Sequence, residues 1–467
     1  MREQCGIVSV VDLEGKENVV PIAARIALGL QHRGELGAGI ATARGGMLGV
    51  HKGNGLVRDV LRPENIAALS APVAIAHTRY ATSGSRNEAL AQPFVQQADS
   101  PASSFAFGFN GNIANHADVR RSIESRGSKL STDVDTELIQ RLLIENTAKG
   151  VRQEIGAALQ SLERQLDGTF NLVLLSGEGD AFAYRNANGN RPLSYAIIDN
   201  RYVVAASEDS AIKRVFQTAT TCDLYPGQLL KAGAGSWNVD TVTSATIARC
   251  FFEWVYFAHY LSKLDGIAVR KARYECGEHL ARMDDAAPPD GVVVPVPDSA
   301  LIAGEGYAHT KSLKLAQAIT KVKEGRTFIA GKEDRIAKAM TKYQIDAANV
   351  ASKKIILVDD SMVRGTTLKI LIHRLRNEGK VSEIHLRIAS PPILAPCFYG
   401  IDFSTTDELI SRTHYPSALS SDVLPDDALV SIASDLSLDS LRFLSTESVQ
   451  QVLEKHRGEI CMACVNG

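Results

Sequence analysis

Residues 355–367 read Ile-Ile-Leu-Val-Asp-Asp-Ser-Met-Val-Arg-Gly-Thr-Thr. Four apolar residues run into two carboxylates, Asp359 and Asp360, then into a loop carrying Ser361, Arg364, Gly365, Thr366 and Thr367. An apolar run bounded by such a loop predicts a buried parallel strand. Polar residues at the carboxyl end of that strand stand where open α/β sheets take their ligands. The stretch Leu368–Arg376 that follows has helical spacing. A strand, a hydroxyl-rich loop and a helix start together make a phosphate cradle, with free N–H groups at the positive end of the helix dipole. The paired acids add acceptors for sugar hydroxyls, or oxygens for a hard cation such as Mg²⁺.

Other residues of chemical type stand in order along the chain. Cys5 precedes the strand-like run Gly6–Val11. It reads either as a buried strand cysteine or as a nucleophile exposed by removal of residues 1–4. In the second case its own α-amine, of unperturbed pKa about 7.7–8.0, serves as local base. Then come Leu30–Gly39 with Arg33, His77–Gly84 with Arg79, Asn110-Gly111-Asn112, and Asp133–Glu137 with Asp135. Each has an ordinary reading: Asn110-Gly111 a turn after Phe105–Phe109, Arg79 a surface ion-pair partner, Asp135 the cap of a helix beginning at Thr136. Further on, Val294–Ala308 carries prolines that force an extended turn, then Asp298 and Ser299 before a helical stretch. Arg326, Arg335, Lys338 and Lys342 form a basic stretch between the two phosphate-type loops.

The elements that must position these groups change character along the chain. The first half has short β-like runs at 6–11, 73–76, 105–109, 170–175 and 202–207, with helical patterns at 19–32, 115–126, 133–148 and 151–165. That mix predicts α+β, sheets covered by helices. From about 265, strands at 291–296, 354–358 and 383–388 alternate with helices, which predicts a parallel doubly wound sheet. The Ala/Pro/Asp-rich stretch Asp284–Asp290 reads as a surface loop. The chain has 467 residues, enough for two or three domains. A net charge of −2 makes no electrostatic case for nucleic acid or an anionic membrane. Mean hydropathy is −0.05, and no apolar run approaches the roughly 20 residues that span a bilayer. With no apolar signal region at the start, a cytoplasmic location is expected.

Together these segments resemble known families. Residues 355–367 resemble the phosphoribosylpyrophosphate (PRPP) signature of type I phosphoribosyltransferases. Cys5 and the four segments after it resemble the class II glutamine amidotransferase domain, an αββα N-terminal-nucleophile fold. Paired with 294–308, the whole resembles the glutamine PRPP amidotransferases. The resemblance implies a glutaminase domain over 5–235, preceded by a propeptide 1–4, and a phosphoribosyltransferase domain over 236–467 ending in a cluster-ligand tail. It implies Cys5 as nucleophile, the Asn110 side chain and Gly111 N–H as oxyanion donors, and Arg79 and Asp135 as holders of glutamine's carboxylate and ammonium. Asp298, Ser299, Asp359, Asp360, Ser361, Arg364, Gly365, Thr366 and Thr367 would bind PRPP, with Mg²⁺ at Ser299, Asp359 and Asp360. Arg326, Arg335 and Lys342 would belong to a loop that closes over PRPP.

The implied reaction transfers glutamine-derived ammonia to C1 of PRPP, giving 5-phosphoribosylamine, glutamate and pyrophosphate, the opening step of purine synthesis. A homo-oligomer, dimer or tetramer, and inhibition by purine nucleotides are expected with it. The sequence departs from the family at Glu35, at Phe109 (where His is usual) and most of all in 321–335. Those departures keep open a paralogue in a specialised pathway, and a non-catalytic PRPP or nucleotide sensor. The seven cysteines are an odd number in a long chain, which argues against a disulfide framework. Four of them, Cys250, Cys397, Cys461 and Cys464, occupy the ligand positions of the iron–sulfur type; four thiolates suit Zn²⁺ or Fe–S alike, and the resemblance favours [4Fe–4S]. Cys222 and Cys276 match no motif and are expected to be buried.

Overall fold

The computed structural model describes residues 5–80, 90–322, 341–400, 405–416 and 424–467. The chain divides into two compact units: Met1–Glu253 with Phe257–Gly266 and Phe398–Asp402, and Trp254–Tyr256 with Ile267–Cys397 and Phe403–Gly467.

The first unit holds two antiparallel sheets. One is built from β1 (Gly6–Asp12), β2 (Gly37–Arg44), β3 (Met47–Asn54), β4 (Val73–Arg79), β9 (Ser194–Ile198), β10 (Tyr202–Ala206) and β11 (Thr221–Asp223), in the order β11-β9-β10-β1-β4-β2-β3. The other is built from β5 (Phe94–Gln96), β6 (Phe105–Ile113), β7 (Gly168–Ser176), β8 (Ala181–Tyr184), β12 (Gln228–Gly233) and β13 (Ser236–Thr241), in the order β13-β12-β8-β7-β6-β5. Every residue of β1, β4 and β7 is buried, as in strands covered on both faces.

The period-2 alternation of side chains explains the layers. Ile7 and Val11 of β1 face the other sheet, packing with Ala106, Val173 and Leu175. Val8 and Val10 face outward, packing with Ala23, Ile26 and Ile212 of the helices Val20–Gly29 and Asp209–Val215. The helices His116–Ser125, Asp135–Asn146 and Val151–Gln165 cover the outer face of the second sheet over Phe105, Phe107 and Phe170. The result is the αββα order that the sequence implied.

The second unit is built on five parallel strands, ordered Lys314–Leu315, Val292–Pro295, Lys354–Asp359, Glu383–Ile388, Ser440–Phe443. The pair Ile319–Lys321 and Tyr343–Ile345 forms a separate antiparallel ribbon. Helix Thr366–Asn377 buries Leu368, Leu371, Ile372 and Leu375 against Ile355, Leu357 and Ile384 of the sheet.

One expectation fails here, and another holds in part: the stretch Asp284–Asp290 is a loop with Asp285, Ala286, Pro289 and Asp290 exposed, but its first residue is not. Cys276 is buried, but Cys222 is exposed, because β11 is a three-residue edge strand and Cys222 is its outward-facing middle residue. Asp284, read as the start of a surface loop, is 1% exposed. It accepts hydrogen bonds from Arg387 Nε, from Arg387 Nη2 at 3.0 Å and from Tyr307 Oη. Burial pushes its carboxyl up, but the hydrogen bond and charge of Arg387 outweigh this and hold it below its ordinary value.

Helices Val269–Met283 and Leu301–Lys311 touch through glycines on both sides. A Cβ on Gly277 would lie 1.9 Å from the Ala303 carbonyl oxygen, and one on Gly306 would lie 2.1 Å from that of Tyr274. Neither helix can yield without moving its backbone. Gly277→Ala is expected to cost about 1–3 kcal/mol, the range for overpacking a tight contact, and a thermal melt should show the midpoint lowered.

Candidate active sites

Cys5 stands half-buried at the head of β1, its Sγ 3.7 Å from the Tyr80 carbonyl oxygen. The strand ladder fixes it there. Gly6 is opposite Thr78 on β4 and donates its N–H to Thr78 Oγ1 at 3.0 Å. Arg79, one residue on, ends β4 and is 5% exposed. Burial pushes the Cys5 thiol up to about 11, with Arg79 and Arg191 drawing it down and Asp135 pushing it up. Three of the residues singled out in the sequence, Cys5, Arg79 and Asp135, are therefore within electrostatic reach of one another. Asp135 opens the helix Asp135–Asn146, so it does not cap a helix beginning at Thr136; Val134 holds the N-cap position. Burial raises the Asp135 carboxyl to about 6, against the pull of the nearby Thr136 and Ile113 backbone N–H groups.

Asn110 and Gly111 are not in a turn. They lie within β6, which runs on to Ile113, opposite Asn171 and Phe170 of β7. The strand continues because position 111 has no Cβ: one would lie 1.7 Å from the Thr169 carbonyl oxygen. Asn110 is 1% exposed, and its Nδ2 is buried with no hydrogen-bond partner among the described residues. A buried amide donor without an acceptor costs about 1–3 kcal/mol unless something is meant to fill the gap. Its arrangement suits a donor for a developing oxyanion.

Beneath this site lies a buried ionic network that the sequence did not announce. Glu208 accepts from His32 Nε2 (2.7 Å), Arg33 Nε (2.5 Å), the His259 N–H (2.8 Å) and Ser262 Oγ (2.5 Å). Arg33 also binds Glu253 at 2.7 Å, and Arg191 lies 3.4 Å from Glu253 and 2.6 Å from the Gly400 carbonyl oxygen. Burial works against the Glu208 charge, but His32 and Arg33 hold its carboxyl well below the usual range. No local motif marks Glu208; it follows β10 in the plain run Ala-Ala-Ser-Glu.

In the second unit, Asp359 ends the central strand Lys354–Asp359 and Asp360 begins the loop. The Asp360 N–H donates to Asp359 Oδ1 at 2.9 Å, and Asp360 accepts from Ser299 Oγ and, at 2.6 Å, from Ser361 Oγ. Burial raises both carboxyls, and in Asp359 the charge of Asp360 adds to it while Lys342 opposes it. Gly365 takes φ +69° and leads directly into helix Thr366–Asn377, so the loop delivers that helix's first N–H groups beside the acids. Arg364 is turned to Glu408 at 2.6 Å, and Asp298 pairs with Lys321 at 3.1 Å. Two carboxylates and a hydroxyl are the hard-oxygen donors that Mg²⁺ takes together with substrate phosphates.

Among the described residues, no three or more His, Cys, Asp or Glu side chains are grouped to hold a metal ion, the cysteines included. The Leu394 and Ala395 N–H groups donate to the Cys464 carbonyl oxygen at 2.9 and 3.1 Å, which lays the segment before Cys397 beside the Cys461–Cys464 pair. Among the described residues, no helix is long and apolar enough to cross a membrane. Residues 1–4, positions 81–84 of the His77–Gly84 motif, and Arg326, Arg335 and Lys338 lie outside the described residues.

Residues 77–214 match the glutamine amidotransferase domain family. Amidophosphoribosyltransferase from Methanothermobacter thermautotrophicus is 34% identical over 470 residues, covering 100% of this chain and 94% of the relative. That of Bacillus subtilis is 31% identical over 481 residues, with 100% and 94% covered. A solved glutamine PRPP amidotransferase from B. subtilis, complexed with ADP and GMP, superposes with a TM-score of 0.86 at 30% identity, covering 99% of this chain and 96% of that one. A solved allosteric regulatory enzyme of purine biosynthesis does so with the same TM-score of 0.86. Full-length identity at this level and a matching fold over 99% of the chain make it a member of the amidophosphoribosyltransferase family.

Proposed function

We infer that this chain hydrolyses glutamine at Cys5 and transfers the ammonia to C1 of PRPP, giving 5-phosphoribosylamine, glutamate and pyrophosphate. The observation that carries the reading is Asn110 Nδ2, a buried donor with no partner among the described residues, in the residue after Phe109, whose carbonyl meets His77 of the strand paired with β1. Cys5 Sγ attacks the amide carbon. Its proton passes through the α-amine exposed by loss of residues 1–4 and leaves on ammonia, and water then releases glutamate from the thioester. Asn110 and the Gly111 N–H take the oxyanion; losing one such donor typically costs about 10²–10³ in rate. Arg79 holds the carboxylate of glutamine and Asp135 its ammonium.

In the second unit, Asp359, Asp360, Ser361, Arg364, Gly365, Thr366 and Thr367 take the ribose and 5-phosphate, and Asp298 and Ser299 the pyrophosphate side. Ser299, Asp359 and Asp360 would hold Mg²⁺, which would supply positive charge for the departing pyrophosphate. To reach the substrate, Arg364 exchanges Glu408 for phosphate, and Lys342, already felt by Asp359, adds charge from above the site. Purine nucleotides as regulators follow from the ADP and GMP bound to the B. subtilis relative. Steady-state assay should show PRPP-dependent glutamate release by the wild type and none by Cys5→Ala; equal activity in the two would sink the mechanism.

Asp135 gives a pH test. Its carboxyl, raised by burial to about 6, is ionised above that pH and holds an ammonium; below it the group is neutral and the contact is lost. The kcat/KM for glutamine should therefore carry an acid limb near pH 6. Asp135→Asn should raise KM and remove that limb, and a limb unchanged in the variant would assign it to another group.

Cysteine thiolates including Cys397, Cys461 and Cys464 are proposed to hold an iron–sulfur centre with a structural role. The hydrogen bonds from residues 394 and 395 to Cys464 support it, and no catalytic step runs through it. Purified protein should contain iron and acid-labile sulfide, and Cys461→Ser should lose both. Stoichiometric zinc without sulfide would overturn the assignment.

A further inference from the structure

The backbone of the residue just before the oxyanion donors is held on both sides of its Cα by side chains instead of a neighbouring strand. Phe109 donates its N–H to Gln92 Oε1 at 2.7 Å, and its carbonyl oxygen lies 3.0 Å from His77 Nε2. His77 and Gln92 are 0% and 5% exposed. A carbonyl only accepts, so Nε2 carries the proton, and His77 is the neutral Nε2–H tautomer. Burial agrees with this, lowering the ring's pKa to about 3, so the tautomer persists through the physiological range.

The register explains why side chains are needed. On its outer edge β6 is paired by β5 only at Phe105–Phe107. On its inner edge it is paired by β7 along its whole length. In an antiparallel ladder, backbone groups of successive residues point to opposite edges. Phe109 sends its N–H and carbonyl outward, to Gln92 and His77, so Asn110 bonds inward to β7 and Gly111 points outward again. The outward Gly111 N–H is the one the hydrolysis requires, and it lies four residues beyond the last outward strand contact, at Phe107. Without β5 to extend so far, the tilt of that stretch of β6 is set by His77 and Gln92.

We propose that His77 and Gln92 are positioning residues for glutamine hydrolysis: they clamp the Phe109 backbone and thereby aim the Asn110 amide and the Gly111 N–H at the oxyanion. His77 suits the task by its place, opposite Ile7 on β1 and two residues from Arg79. One strand thus ties the nucleophile's strand to the donors' strand. Neither side chain touches the reacting atoms. The inference rests on the glutaminase reading of Cys5.

The test measures glutamine hydrolysis and, separately, the PRPP reaction fed with external ammonia, which bypasses the glutamine site. His77→Ala should lower kcat for glutamine about ten- to a hundred-fold, the scale of a misaimed catalytic group, with KM changed less than about three-fold and the ammonia-fed rate kept. His77→Gln, which offers an N–H at similar reach, should recover most of the loss; Gln92→Leu should repeat it and Gln92→Glu should not. Wild-type kcat in His77→Ala, equal losses in the glutamine- and ammonia-fed reactions, or a His77→Gln no better than His77→Ala would each overturn the proposal. A wild type that hydrolyses no glutamine, or a Cys5→Ala that still does, would instead overturn the glutaminase reading beneath it.

Discussion

The first unit depends on a carboxylate that water cannot reach. Glu208 is 0% exposed, and an ion of that size taken out of water loses several kcal/mol even after relaxation. Four donors repay that loss, from residues 32, 33, 259 and 262. Because the charge cannot be left alone, the chain must bring those segments to it. Arg33 then needs a second anion, which Glu253 supplies, and Glu253 is shared with Arg191, whose remaining reach goes to the Gly400 carbonyl. A run of obligations, each created by burying the previous charge, gathers stretches more than 360 positions apart in sequence around the loop that leads into β2.

That loop explains why the strand ends near Cys5 are so tightly placed. Gly34 packs directly on β4's end: a Cβ there would lie 2.5 Å from the Arg79 carbonyl carbon. The buried charges hold Arg33, Arg33 fixes Gly34, and Gly34 presses on the residue that faces the thiol. The second unit works by different means. Its acids are adjacent and buried, which raises both carboxyls, and the hydroxyls of Ser299 and Ser361 partner Asp360. One site is held in shape before substrate arrives; the other gains its full set of charges with substrate.

Much of this was legible in the residues. Continuous apolar runs marked β1, β4 and β7 and the central parallel strands, because a strand covered on both faces has no polar side to show. The loop 359–367 was legible because phosphate cradles need small and hydroxyl residues in sequence. What was illegible was set by distance in sequence. Nothing near Glu208 or Asp284 reveals that an arginine far along the chain will meet it in the interior. The turn assigned to Asn110-Gly111 failed for a related reason: Asn-Gly favours a turn locally, but β7 offers a full ladder, and the missing Cβ at 111 suits the close approach of Thr169 as well as it suits a turn. His77 was visible within its motif, but its partner was a backbone carbonyl, and a backbone group leaves no trace in residue identity.

The clamp on Phe109 has a consequence for its side chain. The side chain of Phe109 is packed among the apolar residues under the helices. The site uses only the backbone of residue 109, gripped from outside, and so is indifferent to what the residue's own side chain does. The chemistry makes no demand on the side chain at 109, which is held instead by its packing in the core, although it adjoins the oxyanion donors. The catalytic constraint falls on residues 77 and 92, so nearness to the chemistry in sequence is a poor guide here to which side chains the reaction depends on.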